Sequence, residues 1–295
     1  MAAYLAVANR KGGVGKSTVS VMLAHSMSVW GGRRVLLIDI DSQCNASLIL
    51  LGGRRWNEAR KARKTIADFF VDLFKGRNEA QMRYLEAGAG DLVDDKGAIP
   101  PLALLPGSLL LDDVQGELFM DQTGERRALD AFAGLRGKFE AMLRSFDKDF
   151  DLVILDCAPG LSFATLAAIA IADKVIVPFR PDYVSLLAID RIAFIIESVP
   201  DLDTLAKIPV NKRRYACLAN YVRGDGAERL LIEEIGLTHP LLDLRLPQHN
   251  SIASAFDWFA QRRPLSQKYG DATADLRSLW AEVSGLMEPE LRAVN

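Results

Sequence analysis

Two lysines five residues apart, Lys11 and Lys16, bracket a glycine-rich run in "NRKGGVGKSTV" (residues 9–19). The apolar segment before it, "YLAVAN" (4–9), reads as a strand, and "STVSVMLAHSMSVWG" after it reads as a helix. In that setting Gly12, Gly13 and Gly15, with Val14 between them, form a loop whose backbone N–H groups can turn inward. Phosphate oxygens can then approach with no Cβ in the way. The helix N-terminus, at Lys16, Ser17 and Thr18, adds partial positive charge at the same point. Lys16 is placed to reach the β- and γ-phosphates of a nucleotide, and the Ser17 hydroxyl to ligate Mg²⁺. The strict eight-residue phosphate-loop pattern asks for glycine at position 10, where this chain has Arg10. Lys11 lies too early on the loop to share the role of Lys16. Its charge alone fits an exposed lysine and a phosphate ligand equally well.

Carboxylates stand at the ends of two further apolar runs. "VLLIDIDSQCNAS" puts Asp39 and Asp41 at the end of one, and "DLVILDCAPG" puts Asp156 at the end of another. Ligands of doubly wound sheets bind at such carboxyl ends. Beside a phosphate loop, Asp156 is a candidate Mg²⁺ holder, directly or through water. Asp41 is a candidate for managing metal and water.

These groups need a scaffold. Besides 4–9, short apolar runs at 34–40, 102–107, 151–156, 174–179, 215–222 and 241–247 read as strands buried on both faces. Helical patterns separate them. In the helix after the phosphate loop, Val21, Ala24 and Met27 follow the apolar side and Gly31 is the stop. In "TIADFFVDLFKG", Thr65 and Asp68 form a capping-box pattern, and Ile66, Phe69, Phe70 and Leu73 share a face. The alternation predicts an α/β fold: a doubly wound, mostly parallel sheet with helices on both faces, in a single domain over 1–295. Residues 77–100, rich in Gly, Asp and Pro, read as a surface excursion. The net charge of −2 gives no global attraction to nucleic acid, so any such binding must use local patches or an assembly. No apolar run approaches the roughly 20 residues of a spanning helix. Cys44, Cys157 and Cys217 are too scattered for a disulfide framework or a zinc pair. With no signal-peptide pattern, a reducing cytoplasm is the expected location.

"KGGVGKST" resembles the deviant Walker A motif of the ParA/MinD family of P-loop ATPases. That resemblance implies ATP and Mg²⁺ as cofactors. It also implies that Lys11 crosses a homodimer interface to phosphates bound in the other subunit, so that Lys11, Lys16 and Asp41 are the catalytic set. Asp39, Asp41, Gln43 and Asn45 match the family's "DxDxQxN" switch segment, in which the second Asp orients or activates water. Ser42 and Cys44 depart from it, standing where relatives often have Pro and Gly. "DCAPG" matches the Walker B region and implies a metal set of Ser17, Asp41 and Asp156. By the same likeness Pro178, Phe179, Pro181 and Asn220 are adenine-contact candidates. "NKRR" (211–214) starts like a guanine-reading motif but lacks its acidic residue, which leaves ATP as the nucleotide.

The likeness extends from residue 4 to about 285 and is nearest to the small ParA-type partition ATPases, since no helix-turn-helix domain precedes the loop. It implies non-specific DNA binding by an ATP dimer, a cargo-bound ParB-like activating partner, slow hydrolysis and a nucleoid-associated location. Candidate DNA cations are Arg213, Arg214, Arg223, Arg229, Arg245, Arg262, Arg263 and Lys268. Ser251, however, stands where the family commonly has an arginine. The basic run 54–64 is a further patch, for DNA, a partner or solvent. Three rivals share the fold. A MinD-like membrane ATPase needs a basic amphipathic tail, whereas the apolar side of the last helix (Leu276, Leu279, Trp280, Val283, Leu286) reads as core. An iron–sulfur reductase needs paired cysteines at a dimer axis. A biosynthetic ATP-dependent ligase would show substrate-dependent turnover without a DNA response.

Overall fold

The runs expected to be buried on both faces form one sheet. The computed structural model describes residues 1–76, 81–123 and 128–293. Its strands are β1 (Ala3–Val7), β2 (Val35–Ile40), β3 (Glu86–Ala87), β4 (Leu92–Val93), β5 (Leu102–Leu105), β6 (Leu152–Cys157), β7 (Lys174–Phe179), β8 (Tyr215–Val222), β9 (Leu241–Pro247) and β10 (Arg263–Pro264). The sheet order is β3-β5-β2-β6-β1-β7-β8-β9, and β4 pairs separately with β10. Every pairing is parallel except that of the edge strand β3 with β5. The seven runs read from the sequence are the seven parallel strands.

Twelve helices among the described residues complete the chain: α1 (Lys16–Val29), α2 (Asn45–Lys61), α3 (Ile66–Phe74), α4 (Leu111–Thr123), α5 (Ala128–Leu143), α6 (Phe163–Ile171), α7 (Tyr183–Glu197), α8 (Leu202–Ala206), α9 (Gly226–Thr238), α10 (Asn250–Ala255), α11 (Leu265–Tyr269) and α12 (Thr273–Ala293). Alternate strand residues face opposite layers. Tyr4, Ala6, Leu36, Ile38, Val153 and Leu155 join a core built with α3, α5, α6 and α7. Leu5, Val7, Val35, Leu37, Leu152 and Ile154 join the other, built with α1, α11 and α12. The first core is rich in aromatics; Phe70 meets Phe139 edge-on at 4.3 Å between centroids.

Local chemistry sets several boundaries. Thr65 and Asp68 form the expected capping box at the start of α3. At the end of α1, the left-handed turn falls on Gly32 (φ 60°), one residue beyond the expected stop. Helix α1 is also buried on nearly all sides, because the sheet covers one face and α12 the other. The apolar side of α12 packs onto that core through Leu276, Leu279 and Val283. Gly52 kinks α2 (φ 70°, ψ 162°), and a Cβ there would lie 2.8 Å from the Trp258 ring.

The 77–100 stretch is more closely fastened than a surface excursion; residues 77–80 lie outside the described residues. Tyr84, Ala89, Asp91 and Leu92 are buried, while Met82, Arg83, Ala87 and residues 95–99 are exposed. The reason is distant in sequence. Buried Lys268 donates to Asp91 Oδ1 at 2.6 Å, and Arg263 Nη2 and the Phe259 amide donate to Oδ2, each at 3.3 Å. Arg262 donates to the carbonyls of Gly88 and Leu92.

Candidate functional site

The strand register brings the carboxylates to the phosphate loop. Val7, the last residue of β1, lies opposite Asp156, which in turn lies opposite Asp39. The chain leaves β1 through Asn9, whose side-chain amide donates to Pro178 O (2.9 Å) and whose oxygen accepts the Lys11 amide (3.0 Å). Gly15 caps α1 at φ 90°, in the left-handed region. A Cβ on it would lie 2.2 Å from Asn220 Nδ2, which donates to Val14 O at 2.9 Å. Glycine is therefore required there by backbone conformation and by space.

Lys16 is buried and donates through Nζ to Lys11 O (3.2 Å). Burial lowers its pKa, and Asp156 and Asp41 oppose that shift. Asp156 is fully buried; its Oδ1 accepts the Ser20 hydroxyl (2.9 Å), and the Ser17 side chain also hydrogen-bonds to it. Its Oδ2 is buried without a partner. Burial, and then the nearby Asp39, push its pKa well above the usual carboxylate range. Asp39 accepts the Ser47 hydroxyl (2.5 Å) and amide (2.9 Å), and burial raises its pKa too. Asp41 lies just beyond β2 and accepts the Gln43 amide (2.9 Å).

A cavity of about 520 Å³ opens above this floor. Gly12, Gly13, Gly15, Lys16, Ser17, Thr18, Asp41, Gln43, Asn45, Ile49, Pro159, Arg180 and Tyr221 line it. Val14 is fully buried, so only its backbone can serve a ligand. The structure thus brings the loop and switch residues together. Pro178 and Phe179 lie in the sheet interior, Pro181 in the following turn, and Asn220 against the loop. The side chains that reach the cavity from these two strand ends are their neighbours Arg180 and Tyr221. The Arg180 guanidinium lies 4.1 Å from the centroid of the Tyr221 ring. Tyr221 is held at φ 59°, a left-handed conformation that is costly for an aromatic residue. Its strand-end position was legible, but its strained backbone was not.

The residues present fit Mg²⁺. The open Asp156 oxygen and the Ser17 hydroxyl are hard oxygen donors. No group of three or more His, Cys, Asp or Glu side chains among the described residues could hold a metal by itself, so phosphate and water oxygens would complete the shell. All three cysteines are free and buried, and burial pushes the Cys44 thiol up to about 12. Cys44 takes a left-handed conformation (φ 56°) in the switch segment.

Lys11 does not reach into its own cavity. Its ammonium pairs with Asp182 at 2.5 Å. The candidate DNA cations are also largely engaged within the chain. Arg213 and Lys268 are buried, Arg214, Arg245 and Arg262 donate to backbone carbonyls, Arg263 pairs with Asp91, and Arg223 pairs with Glu228. Arg229 is exposed. In the 54–64 run, Arg54, Arg55, Arg63 and Lys64 pair with acids, and Arg60 lies over the Trp56 ring.

Residues 2–207 match a family model described as an AAA domain. A chromosome partitioning protein ParA of Caulobacter vibrioides is 30% identical over 66% of this chain and 62% of its own length. The sporulation initiation inhibitor protein Soj of Bacillus subtilis is 28% identical over 65% of this chain and 64% of its own. The chain thus spans about six-tenths of the length of these curated relatives. Two solved structures share the fold at 16% identity and 96% coverage of this chain. One is a putative plasmid partition protein of Borrelia burgdorferi bound to AMPPNP (TM-score 0.63, covering 100% of that protein). The other is a substituted McdA of Cyanothece in complex with ATP (TM-score 0.65, covering 96% of that protein). A cobyrinic acid a,c-diamide synthase of Mycobacterium smegmatis with an ATP analogue and magnesium also shares it (TM-score 0.61, 23% identity, 97% of this chain and 96% of that one). No helix among the described residues is long and apolar enough to cross a membrane. With the phosphate loop and Asp41 lining one cavity, Asp156 buried beside Lys16, and these relatives, the chain belongs to the ParA/MinD family of P-loop ATPases.

Proposed function

We propose that this protein is an ATPase whose ATP-bound form is a sandwich homodimer that binds DNA without sequence preference. A cargo-bound, ParB-like partner stimulates slow hydrolysis and releases it, so that repeated cycles segregate or position the cargo. The cargo is a plasmid, a chromosome origin or a protein assembly, and the site of action is the cytoplasmic nucleoid surface. The observation that carries this reading is the pair of loop lysines: Lys16 buried over the carboxylates, and Lys11 turned outward from its own cavity.

Gly12, Gly13, Gly15 and the start of α1 receive the phosphates, with Lys16 countering their charge. Ser17, Asp41 and Asp156 would hold Mg²⁺, which when bound would neutralise phosphate charge. Asp41, at the cavity edge, orients the attacking water. Arg180 and Tyr221 offer a cation and a ring face to the base. Lys11 of the second subunit completes the charge around the transferring phosphoryl group. DNA contact falls to exposed cations such as Lys212 and Arg229, doubled in the dimer.

The deciding test is binding to random-sequence duplex DNA with ATP, ADP or no nucleotide, across a salt series, for wild type, Lys11→Ala and Lys16→Ala. ATP alone should switch on salt-sensitive binding, and both variants should lose it. Absence of binding in every state removes the DNA role. Asp41→Ala should accumulate the ATP dimer with turnover at least about tenfold lower; undiminished turnover contradicts its assignment.

A further inference from the structure

The ion pair of Lys11 with Asp182 joins the phosphate loop to the first turn of α7, across 171 residues of sequence. Asp182 divides its oxygens. Oδ1 caps α7, accepting the Ser185 amide and hydroxyl at 2.9 Å each, and Oδ2 accepts Lys11 Nζ at 2.5 Å. The Lys11 amide is tied separately to Asn9. The lysine side chain is thus held by a carboxylate that the helix keeps in place. Both partners remain reachable by solvent, with side-chain exposures of 28% and 44%.

The same turn carries an uncovered apolar face. Tyr183, Val184 and Leu187 are 83%, 65% and 63% exposed. Leu187 lies four residues after Tyr183 and three after Val184, the spacings at which side chains are neighbours on a helix surface. Three large apolar side chains grouped beside an ion pair suit a covered surface rather than open water.

We infer that this first turn of α7 is covered by a second copy of the chain, and that Asp182 is the latch that holds Lys11 back until that copy arrives. The inference rests on the proposed ATP dimer. In a two-fold dimer each subunit offers the same patch. If Lys11 is to reach its partner's phosphates, the face around Lys11 must meet its own image, and the α7 turn is part of that face. One ammonium cannot remain on its own Asp182 and also reach phosphate across the interface. Dimer formation must therefore break the pair, and burial of Tyr183, Val184 and Leu187 offsets the loss. A half-exposed pair is weak, so the latch sets a threshold rather than a block.

The cap and the latch use different oxygens, so Asp182→Asn separates them: its amide oxygen still caps α7, while the charge on Lys11 is released. Sedimentation velocity with a non-hydrolysable ATP analogue reads the dimer. Binding of a fluorescent ATP analogue at sub-dimer protein concentration reads the monomer site. Asp182→Asn should tighten the dimer about 2- to 5-fold with monomer nucleotide affinity unchanged. Val184→Asp with Leu187→Asp should weaken the dimer at least about tenfold, with monomer affinity and circular dichroism unchanged. An Asp182→Asn dimer no tighter than wild type overturns the latch. An undiminished dimer in the double variant overturns the covered face. Wild type that binds the analogue yet stays monomeric at every concentration removes the dimer reading itself, and this inference with it.

Discussion

Two buried aspartates, Asp91 and Asp156, show what separates a structural charge from a functional one. Both are nearly inaccessible, and both sit near a buried lysine. Around Asp91 the account closes: Lys268 satisfies one oxygen, and Arg263 and the Phe259 amide satisfy the other. Around Asp156 it stays open. Ser20 serves Oδ1, Oδ2 has no partner, and Lys16 donates to a loop carbonyl instead. A filled charge cluster holds two parts of the chain together. An open one, beside a glycine loop and a cavity, is unfinished without a ligand. Burial alone does not reveal function; unmet hydrogen-bonding capacity does.

The comparison can be broken most forcefully at its structural end. Lys268→Ala should leave Asp91 Oδ1 buried without its donor, Arg263 alone still countering the charge, and cost about 3 kcal/mol of stability, measured by urea unfolding. Nucleotide affinity per folded molecule should stay unchanged. If stability holds but nucleotide binding falls, the two clusters have been assigned the wrong way round. Lys16→Ala should do the reverse: ATP affinity, followed by calorimetry, should fall on the order of 100-fold, while the unfolding midpoint moves far less than for Lys268→Ala.

A smaller effect separates the regions by pH. His25 stands next to the Asp91 cluster, bonded to the Tyr269 hydroxyl at 2.9 Å; burial, and then Lys268, hold its pKa well below 6.5. The folded imidazole stays neutral while the unfolded one takes up a proton as pH falls. Its contribution is therefore undiminished above about pH 6.5 and declines below it, by up to about 1.4 kcal/mol per pH unit. His25→Gln should flatten the decline of stability between about pH 6.5 and 5.5. An unchanged slope assigns the acid sensitivity elsewhere.

Much of this was legible in the sequence because its causes are local or periodic. Continuous apolar runs gave away the seven parallel strands, and glycine spacing next to Lys16 and Ser17 gave away the loop. Thr65 and Asp68 announced a helix start that the structure shows bond for bond. The two-residue strands β3, β4 and β10 carry no such pattern; they exist because a partner strand lies beside them. The partners of Lys11 and Lys268 lie 171 and 177 residues away, so their charges looked free in the sequence. The same blindness made Arg213 a DNA candidate, although its guanidinium donates to the carbonyls of Leu205 and Ile208. At the ends of β7 and β8 the strand positions were legible, but which side chains face the cavity was not. Pro178, Phe179 and Asn220 serve the scaffold, and Arg180 and Tyr221 line the space.

The seating of α12 against α1, with Lys268 locked onto Asp91, also bears on how the chain is made. Helix α1, which carries the phosphate loop's lysine and serine, is synthesised long before α12, its outer cover. Until α12 leaves the ribosome, the side of α1 that it covers, which includes Met27 beside Ser284, lies open. Contacts this distant in sequence form slowly and leave apolar surface exposed meanwhile. The nascent protein should therefore acquire its nucleotide site late, only once α12 has arrived.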